Sequence, residues 1–180
     1  MRTRLSPLLL ATAMLTATVA VTFASGGSPA SAQTPLTLTI QGGSLLISTP
    51  ADAGSLGTRV NTVEGGTISG PLGEVQVNDA RSAAAGSGWV ASVIATAFTP
   101  PAGPTIAASA VSYTAGPIVK VGTATYTADD PSDLTGQSPA VTATGITGDN
   151  SATWNPTIHV AVPGGMASGV YSATITHSVA

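Results

Sequence analysis

ATWNPTIHVAVPGGMASGVYSATITHSVA, residues 152–180, alternates in polarity with a period of two along two separate runs. In the first, Ala152, Trp154, Pro156, Ile158, Val160 and Val162 fall on one face, and Thr153, Asn155, Thr157, His159 and Ala161 on the other. In the second, Tyr171, Ala173, Ile175, His177 and Val179 alternate with Ser172, Thr174, Thr176 and Ser178. Successive side chains of a strand point to opposite faces, so each run reads as a strand with one apolar face. The Pro/Gly loop at 163–169 predicts that the two pair as an antiparallel hairpin. Pro156 has no N–H to give a ladder, which places it on an edge strand or at a bulge.

The same period recurs upstream. Leu36, Leu38 and Ile40 alternate with Thr37 and Thr39 and predict a strand that ends at Gln41-Gly42-Gly43. Residues 44–48 read as a second strand, 50–57 as a loop, and Gly65-Gly66 and Gly70-Pro71 as turns. Residues 74–79 alternate through Val75 and Val77; a Gly/Ser/Ala loop at 81–88 then delivers Trp89. The run 89–99, WVASVIATAFT, is apolar on both faces and belongs in the middle of a sheet. Pro100-Pro101 stops it, and further strands are read around Val111 and Tyr113 and over 119–128. No helical period occurs after the first thirty-odd residues. Short strands punctuated by turns predict an all-β protein with a single antiparallel, Ig-like β-sandwich domain, a barrel being the alternative closure.

At the N-terminus, Arg2 and Arg4 precede an apolar run over 8–24, and Ala30-Ser31-Ala32 fits a small-residue cleavage site. Residues 1–32 are therefore read as a signal peptide rather than a retained anchor, leaving residues 33–180 as the mature, extracellular domain. No membrane association is expected after cleavage, because no other stretch is long and apolar enough to span a bilayer. Beyond the leader, three basic side chains (Arg59, Arg81, Lys120) face eight acidic ones, a net charge of −5. Nucleic acid is excluded as a partner, since phosphate neutralisation needs clustered Lys and Arg. The chain has no cysteine, so thiolate chemistry and Cys-ligated zinc are excluded.

VQVNDAR at 75–81, the Gly-flanked Trp89, Phe98-Thr99, SAVSY at 109–113, and the ending from Trp154-Asn155-Pro156-Thr157 through GVYSATIT at 169–176 together form a pattern. It covers nearly the whole mature chain. The pattern resembles the WxL-type surface domain of Gram-positive bacteria, as found in secreted actinobacterial proteins. The resemblance implies a cell-wall-associated protein that binds peptidoglycan noncovalently. Where that family carries Trp-x-Leu twice, this chain has Trp89-Val90-Ala91 and His177-Ser178-Val179.

Candidate binding residues follow from aromaticity and charge. Trp89 opens a strand after a flexible loop, where half-exposure would let it stack on a sugar ring or a partner surface. Trp154 and Tyr171 lie on apolar faces and read as core or margin residues. Asp79 and Arg81 share a face of their strand and are expected to form an exposed pair that orders the loop before Trp89. His177, among apolar residues, reads as a core or rim residue; neither it nor His159 has metal-ligand neighbours at ligand spacing. The acidic turn Asp129-Asp130-Pro131-Ser132-Asp133 could attract a hard cation but lacks EF-hand spacing, and reads as Asp side chains capping local amides. No nucleophile motif is present. The expectation is a noncatalytic protein without cofactor or metal, partnered by a cell-wall glycan or by another surface protein. Oligomeric state is left open. An assembly subunit is the rival reading, because Thr-rich strand edges with few charges permit strand addition.

Overall fold

The computed structural model describes residues 35–180. The expected signal peptide, residues 1–32, lies outside the described residues. Residues 42–180 form one compact unit. It contains β1 (Leu45–Ser48), β2 (Gly66–Pro71), β3 (Val75–Ala95), β4 (Val111–Thr114), β5 (Val119–Ala128), β6 (Ser138–Trp154), β7 (Thr157–Val162) and β8 (Ile175–Val179). Among the described residues the only helical turn is the 3₁₀ segment Ala108–Ala110. The all-β reading holds, and every strand pairing is antiparallel.

The larger sheet has the order β1-β3-β6-β5, and β8 also pairs with β3. β3 is long enough for β1 to occupy one of its edges at 76–79 and β8 the same edge at 91–95, with β6 along the other. The smaller sheet is β2-β7-β4. One core lies between them. Val75, Val77, Trp89, Ala91 and Val93 of β3 and Val141, Ala143, Ile146 and Trp154 of β6 are buried with Val111 and Tyr113 of β4 and Ile158 and Val160 of β7. Burying these side chains is the main source of stability in a chain without disulfides.

Four sequence expectations are corrected. First, residues 36–40 form no strand, and Leu36, Leu38 and Ile40 are exposed. Second, residues 152–162 and 171–179 form no hairpin. Asn155 and Pro156 break the first run: Asn155 Oδ1 accepts from Gly73 N at 3.1 Å and the Pro156 carbonyl accepts from Leu72 N at 2.9 Å. The chain there leaves the large sheet and enters the small one, so Pro156 marks a corner between sheets. β7 becomes the central strand of the small sheet, and β8 pairs with β3 instead.

Third, Gly65-Gly66 and Gly70-Pro71 bracket a strand, β2, whose Ile68 pairs with Val160. Fourth, residues 81–88 are no loop: they continue β3, with ladder irregularities between Asp79 and Trp89. Here Ser82 adopts φ 51° and bonds Asp149 Oδ1 through both its N–H, at 2.9 Å, and its hydroxyl, at 3.1 Å. Gly88 is required by close approach, since a Cβ there would sit 2.6 Å from the Ala143 carbonyl oxygen.

Candidate functional site

Three of the residues singled out in the sequence converge in one buried network. Asp79 is fully buried, and Arg81 clasps its carboxylate from the rim with Nε at 2.8 Å and a terminal guanidinium nitrogen at 2.9 Å. The Arg81 backbone N–H adds a third bond at 3.1 Å and Asn150 Nδ2 a fourth at 3.3 Å. These partners, Arg81 foremost, hold the Asp79 carboxyl below the usual carboxylate range, against the opposing effect of burial. Asn150 Oδ1 in turn accepts from Trp89 Nε1 and from the Tyr126 hydroxyl, each at 3.1 Å. The Trp89 and Tyr126 rings pack at 5.7 Å between centroids, tilted by 54°.

Two expectations are corrected by this geometry. The Asp79–Arg81 pair is not an exposed one, because its acid is wholly inside. Trp89 is only 2% exposed and is not presented to a ligand. Tyr126 is one of three tyrosines whose ring the sequence reads as buried with its hydroxyl bonded at the margin, as it is here; Asn150 had no sequence signal of its own, since no local pattern ties position 150 to 79, 89 and 126.

A second chain of polar contacts crosses the core. Trp154 Nε1 donates to the Tyr113 hydroxyl oxygen at 2.7 Å, and that hydroxyl lies 3.2 Å from His177 Nε2. With its oxygen taken by the indole, Tyr113 is placed to donate its proton to a neutral imidazole. Protonating His177 would turn that acceptor into a donor and charge a largely enclosed ring. Burial accordingly lowers the His177 pKa to about 4.

A group whose folded pKa is depressed binds more protons when unfolded. Its stability contribution is present above the unfolded value of about 6.5 and is lost as pH falls towards the folded one. The unfolding free energy from urea titrations should therefore decline between pH 6.5 and 4, by as much as about 3 kcal/mol. In His177→Phe that slope should flatten; a wild-type slope retained in the variant would assign the titration elsewhere.

The remaining candidates are local. Tyr171 is half-buried before β8, its hydroxyl donating to the Ala167 carbonyl at 2.9 Å. The acidic turn is occupied by capping: Asp130 accepts from Ala115 N at 2.7 Å, Asp133 from Thr135 N at 2.7 Å, and Asp129 from the Thr142 hydroxyl at 2.8 Å. Among the described residues no three His, Asp or Glu side chains are grouped to hold a metal ion. His159 lies on the outer face of the small sheet, with Nδ1 2.8 Å from the Ser69 hydroxyl and Nε2 3.4 Å from that of Thr114.

What the sequence-derived candidates leave at the surface is the outer face of the large sheet. Because Val75, Val77, Ala152 and Trp154 point inward, their neighbours point out. The register aligns them in two rows across four strands: Leu46, Asn78, Ser151 and Val121, then Ser48, Gln76, Thr153 and Val119. Amides lie beside hydroxyls in the middle of this grid, and Gln76 Nε2 donates to Thr153 Oγ1 at 3.1 Å. Exposed Leu46 flanks one margin and exposed Val119 and Val121 the other. No charged side chain stands in either row. Compared with known proteins, the chain matches no family model and no curated protein sequence.

Proposed function

We propose that this is a secreted, noncatalytic surface protein that associates noncovalently with the cell wall, through peptidoglycan or another wall glycan. The observation that carries the reading is the uncharged grid on the large sheet's outer face. Its amides and hydroxyls match the hydrogen-bonding groups of a glycan chain, and its aliphatic margins suit the apolar C–H faces of sugar rings. The resemblance to WxL-type surface domains and the N-terminal leader support the same reading. The buried Trp89 and Trp154 serve it indirectly, by anchoring β3 and β6 to the core behind the grid.

Pelleting the mature protein with purified cell walls tests this. The wild type should sediment with the walls and lose that property once the glycan is digested away. Gln76→Lys with Asn78→Lys, two exposed changes, should lower the sedimented fraction several-fold while leaving the fold intact by circular dichroism. A wild-type protein that stays in the supernatant would overturn the reading. The second reading, an assembly subunit or adhesin-like module that binds another surface protein, is favoured by one specific observation: β5 is a ten-residue strand at the margin of its sheet, exposed along most of its length.

A further inference from the structure

We infer that residues 36–40 act as a donor strand that adds to the free edge of β5 in a second copy of the chain. This deepens the assembly reading and is independent of wall binding. The donor, LTLTI, has the two-residue period of a half-buried strand, yet Leu36, Leu38 and Ile40 are 81, 85 and 86% exposed and pair with no strand among the described residues. An apolar stripe at strand spacing that finds no ladder is a segment short of a partner.

The acceptor follows from how the other edges are covered. The outer side of β4 is taken by the acidic turn, where Tyr113 N donates to the Pro131 carbonyl at 2.9 Å and Ala115 N to Asp130. β2 ends in Pro71, which has no N–H to give a ladder, and Arg59 donates to the Gly65 carbonyl beside its first residue. β1 and β8 are short, at four and five residues. β5 remains. Its first half carries Lys120 and a Gly122-centred irregularity, both devices that discourage strand addition. Its second half, Thr123 to Ala128, carries no charge, and its register with β6 is regular from Thr125 to Ala128. Strand addition there would lay apolar donor side chains against Ala124 and Tyr126, which are half-buried at the margin of the core.

The donor cannot serve its own β5. Residues 41–43 span at most about 14 Å from Ile40 to Ser44 at full extension. A strand added beyond β5 lies four ladder spacings from β1, about 19 Å away. The partner is therefore a second copy, and head-to-tail repetition would give open chains unless two copies exchange strands reciprocally.

Two variants separate donor from acceptor. Leu38→Asp puts a charge on the donor stripe; Ala124→Lys puts an inward-pointing charge on the acceptor edge. By size-exclusion chromatography with light scattering, the mature wild type should associate as concentration rises, and each variant alone should stay monomeric with an unchanged near-ultraviolet circular dichroism spectrum. Mixed, the two variants should form a complex of about twice the monomer mass, because one keeps a donor and the other an acceptor. A wild type that is monomeric throughout would overturn the inference, as would a Leu38→Asp protein that associates like the wild type or a mixture that stays monomeric. Leu38→Asp leaves the outer-face grid untouched, so its pelleting with cell walls reports on wall binding separately.

Discussion

Trp154→Ala should lower stability by about 3–5 kcal/mol, the largest loss expected from any single change in the chain. Trp154 is among the largest fully buried side chains and sits at the last position of β6, one residue before the chain crosses to the small sheet. Truncation leaves a cavity where the sheets meet. It also removes the donor to Tyr113, so the effect exceeds simple loss of apolar area. Trp154→Phe, which fills most of the volume but has no N–H, should recover the greater part of the loss and leave the hydrogen-bond component. Urea unfolding of both variants measures the split; equal losses would mean that the hydrogen bond, rather than packing, dominates.

Arg81→Ala is the second, with an expected loss of about 3 kcal/mol at neutral pH. The guanidinium is the main partner of a carboxylate that has no contact with water, and removing it leaves a buried charge held only by the Arg81 backbone amide and Asn150. In the wild type the depressed Asp79 pKa contributes stability that is present above 3.8 and lost as pH falls through the folded value. In Arg81→Ala the carboxyl is no longer held down, so its protonation at acid pH relieves the buried charge. The gap between variant and wild type should therefore narrow as pH falls from 7 towards 4, while the His177 contribution cancels in the comparison. Residues 82–88 should also become more sensitive to proteolysis, because Arg81 additionally donates to the Gly88 carbonyl at 3.2 Å. Unchanged cleavage there would remove its role in ordering this part of β3.

Class and architecture were legible in the sequence because they rest on local period. Residues 119–128 read as a strand from alternation and turn signals alone, and β5 has those bounds. Pairing was less legible. The runs at 152–162 and 171–179 look like one hairpin, but period two does not say which strand lies alongside, and the Asn155-Pro156 corner redirects the first run into another sheet. Most of β6 is not legible because VTATGITGDN, residues 141–150, is built largely of small and polar residues; its strand character comes from ladders on both sides rather than from its own side chains. The same holds for 81–88, where Ser, Ala and Gly signal a loop but irregular pairing with β6 keeps them extended.

The candidate site shows the converse. Aromatic and charged residues drew attention, and the fold places most of them inside, where Trp89, Asp79 and Trp154 position strands. The outward grid of Gln76, Asn78, Ser151 and Thr153 is invisible in the sequence because it exists only once the register of β1, β3, β6 and β5 is known.

The most direct test of a glycan-facing large sheet is a titration of the ¹⁵N-labelled mature protein with soluble glycan fragments released from the cell wall, followed by two-dimensional NMR. Saturable shifts are expected in the side-chain amides of Gln76 and Asn78 and in the backbone amides of Ser151 and Thr153, with the Trp89 and Trp154 indole signals unmoved. Shifts centred instead on Ser69, Thr114 and His159 of the small sheet, or no shifts at any glycan concentration, would contradict it.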